Sequence, residues 1–180
     1  MRALVFSSIP VVFGLCNPDT EQTDPVTPPP ESLFNLSFDG DYDAHVTSQL
    51  EAGFTQPAGG TDFDQWEFTF DADDLTASLL VIRPDSETGD LPTTLPIGDA
   101  ATNKYVGRLE FLLPNESLWM TFEGDLAFSQ CPDSGKNVTF TLTDGLAYDE
   151  DDGETSVAGT IRATLPVSSA LHTFYVENCP

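Results

Sequence analysis

Basic side chains are nearly missing from this sequence. Six Lys and Arg stand against thirty Asp and Glu, a formal net charge of −24. A field of that sign repels phosphate backbones, so nucleic acid is excluded as a partner. Histidine is equally scarce, with only His45 and His172, so a neutral-pH general base has little to draw on. No GxSxG elbow, HExxH helix or Gly-rich phosphate loop occurs. A hydrolase working through two carboxylates remains conceivable, yet thirty acids nominate no pair. Runs of Ala, Leu, Glu and Lys are absent, which disfavours helices. Beyond residue 16 no stretch holds the ~18 apolar residues of a membrane-spanning helix. These absences leave a non-catalytic protein as the expectation.

What is present is enough apolar material for a core: 180 residues, 39% hydrophobic, with 13 Phe. The acids are mostly Asp and travel with Gly, Thr, Ser and Pro, the residues of turns. Between the turns the chain alternates with period two. Phe34, Leu36 and Phe38 share one face, as do Trp66, Phe68 and Phe70, and Val138, Phe140 and Leu142. Val157, Ile161, Ala163 and Leu165 form a fourth set. Such alternation is the mark of half-buried strands. Further strands are expected at 44–54, 76–83, 104–113, 118–127 and 170–178, where His172 alternates with Phe174 and Val176. About nine strands with acid-rich turns between them predict an all-β domain over 33–180. An antiparallel β-sandwich is the first expectation, and a jelly roll or β-barrel the alternative. The clearest hairpin joins 136–148 to 155–165, with Gly153 expected to take a positive φ in its turn. The segment 84–103, with Pro84, Pro92 and Pro96, is expected to be a surface loop.

The chain begins Met1-Arg2, continues with an apolar run over 3–15, and reaches Cys16. Residues 17–32 then read NPDTEQTDPVTPPPES, a Pro-, Thr- and acid-rich stretch that is semi-rigid and extended. A short basic end followed by an apolar run is the form of a secretory signal over 1–15. With Cys16 and the stretch behind it, the start resembles bacterial secreted lipoproteins. Leu15 stands before the cysteine where those proteins usually carry Gly, Ala or Ser. The resemblance implies lipid attachment at Cys16, a tether over 16–32, a membrane partner and an extracytoplasmic place. Export also implies an oxidising compartment, and Cys131 and Cys179 remain as a pair. They are expected to form a disulfide that staples the end of the chain.

Three acidic turns are candidate ligand sites. Asp39, Asp41 and Asp43 alternate in one, and Asp149, Asp151, Asp152 and Glu154 crowd a second. Asp71, Asp73 and Asp74 make a third. Calcium takes six to eight oxygens, and closely spaced carboxylates can supply several, so calcium is the one cofactor expected. Trp119 is out of phase with Leu118, Met120 and Phe122. That places it on the opposite sheet face, where an exposed indole could stack on a glycan. His45, following the first acidic turn, is expected to be exposed. The resulting expectation is a tethered, extracytoplasmic binding module for protein, glycan or cation, with a structural envelope domain as the alternative.

Overall fold

A computed structural model describes residues 32–57, 62–98 and 104–180. The alternating segments become β1 (Leu33–Gly40), β2 (Ala44–Gln49), β3 (Glu51–Thr55), β4 (Phe63–Asp71), β5 (Thr76–Pro84), β6 (Thr94–Pro96), β7 (Val106–Leu112), β8 (Leu118–Phe128), β9 (Asn137–Tyr148) and β10 (Glu154–Thr164). One helix, α1 (Ser169–Asn178), follows. The all-β expectation holds. The strands belong to a single antiparallel sheet, curled nearly into a barrel, in the order β2-β1-β10-β9-β8-β7-β5-β4-β3, with β6 beside β8.

The curl follows from who pairs with whom. β1 has β2 on one side and β10 on the other, so the first strand meets the last. β2 and β3 stand at the two ends of the order, yet only Leu50 separates them in the chain. They form one long stave that pairs with β1 in its first half and with β4 in its second. Counting that stave once and leaving out β6, eight staves surround the core. Gly159 of β10 sits at the bulge in the β9–β10 register, with φ +138°, and lies opposite Leu36 of β1. A Cβ there would lie 2.1 Å from the Asn35 carbonyl oxygen, so only glycine lets the two backbones close.

Inward-facing side chains fill the interior. Phe34, Leu36 and Phe38 of β1 meet Trp66, Phe68 and Phe70 of β4, Phe111 of β7 and Phe140 of β9. Phe70 and Phe140 pack edge to face with ring centres 5.2 Å apart, and Phe38 and Phe111 do the same at 5.3 Å. The segment between β5 and β7 is more than a surface loop. It contributes β6 and buries Leu91, Leu95 and Ile97, because β6 wedges beside β8 where β7 and β8 part.

The expected strand at 170–178 is instead α1. The Ser168 hydroxyl caps its start by accepting from the Leu171 amide at 3.0 Å. Its buried residues, Leu171, Phe174 and Asn178, recur at helical spacing. Phe174 packs on Phe54, Trp66 and Phe68 and closes one end of the barrel. Cys131 and Cys179 are bridged, with Cα atoms 6.1 Å apart, which clips the end of α1 to the β8–β9 loop.

Candidate functional site

Successive staves run in opposite directions, so the turns after β1, β4, β7 and β9 lie at one end of the barrel. Three of them are the acidic turns singled out in the sequence. β1 begins at the other end, beside α1 and the disulfide. There Ser32 accepts from the Leu50 amide at 3.1 Å, and its hydroxyl accepts from the Thr164 amide at 2.9 Å.

The first and second acidic turns touch. The Asp41 amide donates to the Glu154 carbonyl at 2.9 Å, and Asp41 Oδ2 accepts from the Glu154 amide at 3.0 Å. Asp149 Oδ1 accepts from the amides of Asp151 and Gly153 at 3.0 and 2.7 Å. These two carboxylates hold turns. The positive φ in the β9–β10 turn belongs to Asp152, at 63°, and not to Gly153. Gly153 leaves room for the Asp149 carboxylate, which a Cβ would approach to 2.9 Å and force to shift. Tyr42 joins the third turn to this pair: burial, and then the field of Asp74, raises its phenol above the usual value. Asp39, Asp43, Asp151, Asp152 and Glu154 are exposed or half-exposed around this end. Among the described residues no three His, Cys, Asp or Glu side chains are grouped to hold a metal ion. The acids share a rim without converging on a point.

Trp119 lies inside the barrel and is 4% exposed. It packs beside Tyr42 at 6.2 Å between ring centres. The phase of β8 is as expected but its sense is reversed: Trp119 faces the core, while Leu118, Met120 and Phe122 face out. Stacking of Trp119 on a sugar ring is therefore closed off. His45 is exposed on the outer wall, where it bonds the Ser37 and Thr47 hydroxyls at 3.0 and 3.2 Å. His172, expected to pack within a strand, is instead 62% exposed on α1, with Nδ1 3.1 Å from Asp133 Oδ1. Cys16 lies outside the described residues.

The reversal of β8 creates a feature absent from the sequence-based expectations. Its outward residues line up with those of β7 and β9. Leu112 lies opposite Leu118, and Met120 lies between Glu110 and Tyr148. Phe122 is 50% exposed and Leu112 44%, and the Phe122 ring meets Tyr148 edge-on at 5.7 Å. A groove of about 280 Å³ runs beside them, lined by Gly98, Arg108, Met120, Thr121 and Phe122. Acids border the strip. The Tyr148 phenol is pushed above its usual value by its hydrogen bond to Glu154, by burial, and by the charges of Glu154 and Glu123. No protein family, curated protein or solved structure matches this chain. Its geometry has a filled interior, a rim of separated carboxylates and an apolar strip on the outer wall.

Proposed function

We propose that the protein is a membrane-tethered, extracytoplasmic module that binds another protein through the outside of its barrel and catalyses no reaction. The apolar strip of Leu112, Leu118, Met120, Phe122 and Tyr148 carries this reading. Exposed aromatic and aliphatic side chains bordered by charge are the composition of protein interfaces. The interior, occupied by Phe, Trp and Leu side chains of the core, supports a site on the outer wall. The glycan alternative has lost its stacking residue, and the rim offers no grouped cation ligands among the described residues. The tether reading supplies the address. Cys16 would be held at a membrane, β1 would enter at the α1 end, and the acidic rim would stand away from anionic headgroups.

A photo-crosslinking side chain at position 122, compared with one at position 162 on the exposed face of β10, tests the binding reading in the native host. One discrete adduct from position 122 and none from position 162 is the expected result. Absence of adducts at both positions would instead favour the structural envelope domain. Labelling with a palmitate analogue tests the anchor, and label retained in Cys16→Ala would refute it.

A further inference from the structure

β2 is a strand with one partner. It pairs with β1 from Leu33↔Gln49 to Phe38↔Ala44, and among the described residues nothing pairs its other edge. The cause lies in the bent stave. At Leu50 the chain passes from β2 to β3, and only β3 pairs with β4. β4 ends at Asp71, opposite Glu51, so it stops before it reaches β2. β3 is the other terminal strand of the sheet order, but it lies against β10 and α1. Among the described residues β2 therefore carries an edge that no strand pairs. In an antiparallel pair, alternate residues aim their main-chain N–H and C=O groups away from the partner. Open edges are ordinarily blunted by Lys, Pro or a bulge. The sequence Ala44-His45-Val46-Thr47-Ser48-Gln49 has none of these.

A second observation lies at the foot of that edge. A cleft of about 510 Å³ opens there, lined by Gln49, Leu50, Glu51, Asp71, Ala72 and Asp73. Among the described residues no ion pair or hydrogen bond engages the Glu51, Asp71 or Asp73 carboxylates. The open edge offers main-chain groups, and the cleft beside it offers negative charge and room.

We propose that β2 receives an extended segment of a partner protein as an added strand, with lysine or arginine side chains of that segment entering the Glu51–Asp71–Asp73 cleft. Main-chain bonds supply affinity in this mode and side-chain pockets supply selectivity. Charge decides the occupant. A second copy would set one net charge of −24 against another. The protein's own residues 17–32 contain Asp19, Glu21, Asp24 and Glu31, no Lys or Arg, and five prolines, which lack the ladder donor. The site goes beyond the function proposed above: β2 stands four staves from β8 in either direction, on the far side of the barrel from the apolar strip.

Calorimetry of the full chain with synthetic peptides tests this proposal. The probes are a peptide alternating valine with lysine, the same peptide N-methylated at alternate residues, and a valine–glutamate counterpart. The lysine peptide should bind and should protect alternate β2 amides from hydrogen exchange. The N-methylated and glutamate peptides should bind at least about tenfold more weakly. D71N combined with D73N should weaken the lysine peptide by roughly tenfold, while Asp125→Asn, away from the cleft, should leave it unchanged. Equal binding of the N-methylated peptide would mean attraction by charge alone and would overturn strand addition. So would unprotected β2 amides, or β2 amides already protected in a peptide-free dimer. None of these outcomes bears on crosslinking at position 122.

Discussion

Asn178 is the most heavily used polar side chain in the core. It is buried, its Oδ1 accepts from Arg83 Nη1 and from the Tyr105 hydroxyl at 2.9 Å each, and its Nδ2 donates to the Phe174 carbonyl at 2.8 Å. Asn178→Leu leaves a guanidinium and a phenol short of an acceptor and should cost about 2–4 kcal/mol in urea unfolding. A surface pair behaves differently. The His172 hydrogen bond holds the Asp133 carboxyl below its ordinary value of 3.8. Its contribution is therefore complete above that value and lost as pH falls through the lower, folded one. Unfolding curves taken from about pH 5 to about pH 2 should be less steep in pH for Asp133→Asn than for the parent. At this scale the sequence was half legible. Alternation separates Trp119 from Leu118, Met120 and Phe122, but both sets are apolar, and period two does not say which points inward. Gly153 reads as a turn glycine, while its real constraint is the Asp149 carboxylate folding back beneath it.

Among the elements, the strands were the readable part, because each buries one face and shows the other to water. The helix was not. Leu171, Phe174 and Asn178 recur at its spacing, but a Thr, a Phe, a Tyr and a Val over 169–178 favour a strand by propensity, and the deciding cap lies outside the apolar pattern at Ser168. β6 was hidden for another reason. Three residues ending in Pro96 carry too little period to read, and what fixes them is their place beside Leu126 of β8. The disulfide was foreseeable from cysteine parity, and the fold explains its position. α1 buries Leu171, Phe174 and Asn178, and the bridge joins positions 48 residues apart at its end. Chain entropy for a loop of that length comes to about 4 kcal/mol as an upper figure. Denaturation with and without reductant should find a loss approaching that value, and the Cys131→Ala, Cys179→Ala double variant should match the reduced protein.

For the molecule as a whole, the composition spoke clearly about class and said little about closure. All-β and antiparallel follow from alternation between acidic turns. The bent stave at Leu50 and the pairing of β1 with β10 depend on contacts between distant parts of the chain, and neither leaves a local pattern. The gathering of three acidic turns at one end is a product of that topology. It also has a cost, since like charges crowd one rim. Added salt should relieve it: raising sodium chloride from about 0.1 M to about 1 M shortens screening from ~10 Å to ~3 Å. The thermal midpoint should rise over that range, and an unchanged or lower midpoint would reject the rim as a source of repulsion. The entry of β1 at the opposite end has a mechanical consequence. A pull on residue 32, resisted at the acidic end, acts along the strands. β1 is laddered on both flanks, to β10 from Leu33↔Arg162 to Gly40↔Thr155 and to β2 on the other side. Its hydrogen bonds lie across that line of force and are loaded together in shear, not peeled one by one. β1, held on both flanks in this way, is built to bear tension along its length.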